Sequence, residues 1–176
     1  VEANTTSATS GLDLTASATT DQFSSLTHSY LLFDTSTLRA SAVVLTGTIR
    51  LYGDSKSNNI GSPDLHIAAS TPAANNTLAT GDFQNVGRTT FGNITYANFT
   101  AGAFNEIALN ATGLADITNT GISRFSAQNS WDINNSFTGV WSASVGSHTV
   151  IQFADGTNPP QLVVTFRRPK PSGDFI

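Results

Sequence analysis

The chain has 176 residues, a mass of 18.4 kDa, a formal net charge of −4 and a charged fraction of 11%, well below the roughly 25% of an average soluble protein. It lacks the basic field that attracts a phosphate backbone, so nucleic acid is excluded as an expected partner. No apolar run approaches the roughly 20 residues that span a bilayer, so no membrane insertion is expected. The absence of cysteine excludes disulfides and thiolate metal sites.

Short runs of alternating apolar and polar residues, separated by Gly, Asn, Asp and Pro, predict an all-β chain. In chain order, strands are expected at residues 11–16, 29–34, 42–52, 64–69, 93–97, 105–109, 122–128, 149–153 and 162–166. Residues 78–85 and 111–119 are predicted as short helices. The chain is therefore expected to fold as an antiparallel, two-sheet, jelly-roll-like β-sandwich with one or two short connecting helices.

The clearest of these strands covers residues 42–52. With a period of two, apolar side chains fall on one face and polar ones on the other. The apolar face is predicted to carry Val43, Leu45, Ile49 and Leu51. Because the following pair, Gly53-Asp54, is typical of a turn, the strand is predicted to end there.

The expected domain organisation is one β-sandwich over residues 1–166 and a tail over residues 167–176. Val1–Ser10 is interpreted as a polar lead-in that continues from residues upstream of Val1. The tail starts at Arg167 and Arg168, and its two prolines favour an extended backbone. It ends on Phe175 and Ile176. Since exposed hydrophobic residues gain from burial, this tail is predicted to dock on its own sandwich, a neighbouring subunit or a carrier.

The order of the segments carries a resemblance to a known family. Residues 30–38 read Tyr-Leu-Leu-Phe-Asp-Thr-Ser-Thr-Leu, and the strand ending at Tyr52 follows them. Together they resemble the opening of DNRLRE-type β-sandwich modules, in a variant found in phage and bacterial surface proteins. Similar matches occur at residues 70–73, 81–83, 109–114 and 160–166. The resemblance implies a jelly-roll-like fold, similar to carbohydrate-binding domains, and an attachment or scaffolding role. It supplies no catalytic residue.

The carboxylates and histidines do not form a recognisable catalytic pattern. Glycoside hydrolysis needs two carboxylates in a cleft, and the only glutamates are Glu2 and Glu106. Glu106 falls on the polar face of a predicted strand and is interpreted as a solvated surface residue. The histidines are dispersed, and His66 is interpreted as a surface or interface residue. The chain is therefore predicted not to be an enzyme. A glycan-degrading enzyme, which would draw its acid pair from the scattered aspartates, is a third and weaker interpretation.

Calcium is the one cofactor that the sequence leaves open, because it needs only oxygen ligands. Candidate ligands in one predicted loop are Asp54, Asn58, Asn59 and Asp64. A second predicted loop carries Asp132, Asn134 and Asn135. Asn and Asp are also the residues that turns require, so a plain turn explains them equally. No other cofactor is expected.

Two tryptophans bracket a polar stretch and are candidates for ligand binding. An exposed indole flanked by amides can stack on a sugar ring, which gives the candidate set Trp131, Asp132, Asn134, Asn135 and Trp141. The alternative is that both tryptophans pack in the core, as large aromatic residues usually do. We favour that alternative.

Taken together, these observations predict a non-catalytic structural or attachment domain. It is expected on a virion or cell surface, hence extracellular, and assembled with copies of itself or a larger surface or virion protein. The alternative is a carbohydrate-binding module of a secreted protein, with glycans as its partners.

Overall fold

The fold is described by a computed structural model of residues 8–168. Strands make up 44% of the chain and helices 11%. The strands are β1 (Thr9–Ala16), β2 (Phe23–Leu26), β3 (Ser29–Asp34), β4 (Val43–Asn58), β5 (Leu65–Ala69), β6 (Gly92–Ile94), β7 (Phe104–Ala108), β8 (Ile122–Asn129), β9 (Gly146–Gln152) and β10 (Gln161–Arg167). The α-helices are α1 (Ala111–Ala115) and α2 (Ser130–Ile133), and 3-10 turns cover Ser36–Leu38 and Thr80–Gln84.

Two antiparallel sheets form a β-sandwich, which confirms the predicted fold class. One sheet has six strands in the order β10-β4-β9-β1-β2, with β7 also paired to β4. The other has four strands in the order β3-β8-β5-β6. The helices that the structure describes are all too short to cross a membrane.

The core lies between the two sheets because each strand turns its alternate apolar residues inward. The six-stranded sheet contributes Leu12, Ile49, Leu51, Ile107 and Ile151, and the four-stranded sheet contributes Leu31, Leu65, Ile67, Phe125 and Ala127. Each of these ten side chains is at most 2% exposed. A smaller cluster of Leu14, Ile60 and Trp131 lies beside them.

The prediction that the strand ends at Gly53-Asp54 is wrong, since β4 continues to Asn58. A β-bulge absorbs Asp54: Gly53 pairs with Ile151, and Ser55 pairs with the preceding residue, Val150. Gly53 serves close packing rather than a turn. A Cβ atom there would lie 2.4 Å from the carbonyl oxygen of Thr100.

A second irregularity overturns the predicted face of Val43 and Leu45. Thr165 of β10 pairs with Thr46, but the next residue, Phe166, pairs with Val44, so Leu45 is passed over. Beyond this bulge the alternation is inverted. Val44 packs against the core, while Val43 and Leu45 are 43% and 51% exposed.

The remaining differences are at short elements. β2 and α2 were not predicted, and α1 is shorter than expected. Asn110 caps α1 by accepting a hydrogen bond from the amide of Gly113 at 3.0 Å. Arg167 belongs to β10, so the strand extends one residue past the predicted domain boundary. Val1–Ser7 and the tail end with Phe175 and Ile176 lie outside the described residues.

Candidate functional site

A buried hydrogen-bonded pair, His28 and Asp132, lies at one end of the four-stranded sheet, beside the paired strands β3 and β8. His28 lies between β2 and β3, and Asp132 lies in α2; their side chains are 4% and 6% exposed. The His28 Nε2 atom hydrogen-bonds with Asp132 Oδ2, and the imidazole stacks on Phe83 with ring centroids 4.4 Å apart. The side chain of Asn129 caps α2 by accepting from the amide of Asp132 at 2.9 Å, which fixes the position of the carboxylate.

The geometry of this pair favours a structural role. A general base needs a ring nitrogen within reach of the proton that it removes. Asp132 engages Nε2, while Nδ1 of His28 is buried and has no hydrogen-bond partner among residues 8–168. Arg88 strengthens the same junction, because its Nη1 donates to the main-chain oxygen of Asp132 at 2.7 Å. The pair therefore ties α2 to the segment before β3.

A cleft of about 690 Å³ opens beside His28, between the β1–β2 edge and the loop that carries Phe83. Its hydroxyl groups come from Ser10, Ser24, Ser25, Thr27 and Ser29, and its aromatic walls from Phe23, Tyr30, Phe83 and Phe153. A second groove of about 270 Å³ follows β3 and shares Tyr30, Leu78 and Phe153 with the cleft. Concave surfaces with apolar walls and a few polar groups are the usual places for small ligands.

Asp82 holds the wall of the cleft in place. Its side chain, which is 2% exposed, accepts hydrogen bonds from the amides of Ala79 at 2.9 Å and Ala73 at 2.8 Å and from Asn85 Nδ2 at 3.2 Å. These bonds, chiefly that from Ala79, lower the pKa of the Asp82 carboxyl. The Tyr30 hydroxyl donates to the main-chain oxygen of Asp82. Burial, helped by the Asp82 charge, raises the pKa of Tyr30 to about 12.

A serine, a histidine and an aspartate also lie side by side across three strands. His148 of β9 is directly opposite Ser57 of β4 on one side and Asp13 of β1 on the other. The Ser57 hydroxyl hydrogen-bonds with His148 Nδ1 at 3.1 Å. Burial raises the pKa of the Asp13 carboxyl, and the charge of His148 opposes that shift. In a catalytic triad the acid and the nucleophile bind different ring nitrogens; here, among the described residues, Asp13 makes no hydrogen bond to His148.

The five candidate ligand-binding residues are not brought to one surface. Trp131 is 6% exposed, donates from Nε1 to Thr138 at 3.0 Å and packs against the edge of Phe137. It therefore belongs to the core. Trp141 is half-buried, and its Nε1 donates to the carbonyl of Gln22 at 3.4 Å. Asp132 faces inward, whereas the two asparagines that follow it, Asn134 and Asn135, are exposed.

Two of the calcium candidates, Asp54 and Asn58, lie apart. Asp54 and Asn58 belong to one strand, and at about 3.3 Å per residue their backbones are roughly 13 Å apart. The Asp64 carboxylate accepts from the amide of Tyr96 at 2.8 Å. Within residues 8–168, no group of three or more His, Cys, Asp or Glu side chains is placed to hold a metal ion.

Glu106 and His66 occupy the kinds of position that their strand patterns predict. The Glu106 side chain is 64% exposed and pairs with Arg50 Nε at 3.0 Å. His66 is half-buried on β5, where its Nδ1 hydrogen-bonds with Thr90 at 2.8 Å. Burial lowers the pKa of His66, and the nearby Asp64 opposes this shift. Glu106 therefore contributes a pairing with Arg50, and His66 contributes a hydrogen bond with Thr90.

No protein-family model matches the chain, and no curated protein matches it at a significant level. By its fold, the chain is an antiparallel two-sheet β-sandwich. The similarity to DNRLRE-type modules stays a prediction from the residues that carry it.

Proposed function

We propose that the chain is a non-catalytic structural or attachment domain, displayed on a virion or cell surface, that assembles with copies of itself or a larger surface protein. The observation that carries this proposal is how the ionisable side chains at the concave surfaces are used. Asp132 holds His28, and backbone amides hold Asp82. Within residues 8–168, His28 and Asp82, which line the cleft, are each held by partners from the fold.

The surface chemistry supports the same proposal. Only 11% of residues are charged, so the exposed faces are polar but weakly charged, and two domains can approach without strong repulsion. Exposed hydrophobic residues are concentrated on β4 and β10: Val43, Leu45, Val163 and Phe166. Val163 lies opposite Thr48 on the outer face and Phe166 lies opposite Val44 on the core-facing side, so these residues offer apolar contacts on both faces of the two strands.

Surface labelling tests the display role. Antibodies raised against the recombinant chain should label intact virions or unpermeabilised cells of the source in immunogold electron microscopy. Antibody that has been pre-absorbed with the chain is the control. Labelling that appears only after permeabilisation would contradict display. A screen against glycoside, ester and peptide substrates should give no turnover, and turnover that is lost on Ser57→Ala or His148→Ala would contradict the non-catalytic role.

A second function, carbohydrate binding, is favoured by one observation. The cleft combines hydroxyl groups with aromatic walls, and Phe23 on its rim is 39% exposed. Aromatic faces and hydroxyl groups are the surfaces to which sugars bind. A glycan array followed by titration calorimetry tests this function. Phe23→Ala should abolish any binding, while Phe166→Ala, which removes a similarly exposed ring from β10 at 36% exposure, should not.

A further inference from the structure

Within residues 8–168, backbone groups along the outer edge of β10 have no partner strand. Among the described residues, β10 pairs with β4 alone. Val164 lies opposite Gly47, and Gly47 directs its carbonyl the other way, to accept from the amide of Leu109 at 2.9 Å. Val164 and Gly47 therefore form a non-hydrogen-bonded pair of the antiparallel ladder. In such a pair each residue directs its N–H and C=O away from the other strand, so those of Val164 point away from β4. The alternation gives Leu162 the same orientation.

Within residues 8–168, β10 lacks the features that usually protect natural edge strands. β2 and β6 are only four and three residues long, and β3 lies along a groove with loops on its sides. β10 has seven residues and contains no proline, and its only charged residue is the last, Arg167. Long edges without charges, prolines or bulges pair readily with other chains. The bulge at Leu45 lies in β4, so the outer edge of β10 stays continuous.

The residues of β10 are complementary to a second copy of the same strand. In an antiparallel pair with a two-fold axis at Val164, the outward amides of Leu162 and Val164 find carbonyl partners. Val163 then lies opposite Thr165 of the second copy, and such pairs of β-branched side chains stabilise sheets. Gln161 lies opposite Arg167 of the second copy. The two residue types form this contact within the chain, since Arg50 Nη1 donates to Gln161 Oε1 at 2.8 Å. No like charges face each other.

We infer that two copies of the chain associate through β10, edge to edge and antiparallel, so that their six-stranded sheets join into one continuous sheet. The inference rests on the proposed function, because it names the surface through which the domain assembles with itself. The pairing covers Val163, which is 47% exposed, and Phe166. The contact is small, so we expect a weak dimer that many copies on one surface would reinforce.

Sedimentation of the full chain tests the inference. The mass of the wild-type chain should rise with concentration from 18.4 kDa towards twice that value. Val163→Lys combined with Thr165→Lys places lysines opposite lysines across the axis, so this variant should bind itself at least tenfold more weakly. The matched control, Ala101→Lys with Ala143→Lys, adds the same charge at exposed loop positions and should dimerise like the wild type. Circular dichroism and thermal unfolding verify that each variant is folded.

Charge reversal gives a result that a folding defect cannot imitate. Val163→Glu with Thr165→Glu should also be monomeric alone, but an equimolar mixture with the lysine variant should restore the dimer. A wild-type chain that stays monomeric up to roughly 1 mM, the range of weak association, would overturn the inference. Dimers that persist unchanged in the lysine variant would also overturn it, while leaving self-assembly in place through another surface. Surface labelling tests the display role independently of whether the chain dimerises and of which surface it uses.

Discussion

Removal of the Asp132 carboxylate should strongly destabilise the fold. Asp132→Ala deletes the partner of His28 Nε2 but retains the main-chain contacts of α2 with Arg88 and Asn129. Both side chains of the pair are at most 6% exposed, so the imidazole cannot turn to water for a replacement. Loss of a buried hydrogen bond to a charged group costs about 1.5–3 kcal/mol. We expect a decrease of that size in the free energy of unfolding.

Urea denaturation followed by tryptophan fluorescence measures this effect, because the buried Trp131 lies next to Asp132 in α2. The double variant His28→Leu/Asp132→Ala completes a double-mutant cycle, which measures the interaction energy between the two side chains. It should cost less than the sum of the two single changes, because neither variant residue leaves a partner unpaired. A cost below about 1 kcal/mol for Asp132→Ala, in the range of surface substitutions, would refute the structural role of the pair.

Three further predictions concern the cleft wall and the packing of β4. Folding lowers the pKa of Asp82, so this carboxylate stabilises the fold above its unfolded pKa, and the contribution is lost as the pH falls through the folded pKa. In thermal melting at a series of acidic pH values, Asp82→Asn should therefore show a smaller decrease in melting temperature with falling pH than the wild type. Folding raises the pKa of Tyr30 from 10.0 to about 12, so the free energy of unfolding should fall as the pH rises between these values. Tyr30→Phe should remove this pH dependence. At neutral pH it should cost about 1 kcal/mol, because the hydrogen bond of the hydroxyl is lost. Gly53→Ala should destabilise by about 1–3 kcal/mol in urea denaturation, because the new Cβ would meet the Thr100 carbonyl; Gly81→Ala, which meets nothing within 4 Å, is the control and should change stability little.

Local patterns were sufficient to predict most of the sandwich. Residues 29–34 were predicted as a strand with the bounds that β3 has, because apolar residues and turn residues mark both ends. The inner face of β4 was predicted correctly at Ile49 and Leu51 and wrongly at Val43 and Leu45. A bulge inverts the alternation at one residue, and it depends on how the partner strand pairs. That information is not contained in the strand's own sequence.

The site was less predictable because its contacts join distant parts of the chain. His28 and Asp132 are 104 residues apart, and the row of Ser57, His148 and Asp13 exists only through the registers of three strands. In the sequence, the histidines are therefore dispersed. The partial signal was at Asp132, which follows Asn129-Ser130, a pattern typical of a capped helix start. The tryptophans were predictable in part: the favoured interpretation as core residues holds for Trp131.

Residue-resolved amide hydrogen exchange at low and high protein concentration tests the proposed pairing of two copies through the outer edge of β10. The amides of Leu162 and Val164 face that edge and should exchange quickly in dilute protein, then gain protection as the concentration rises. The amides of Val163 and Thr165 face β4 and should be protected throughout, which makes them the internal control. Equally fast exchange of Leu162 and Val164 at every concentration would contradict the proposed pairing.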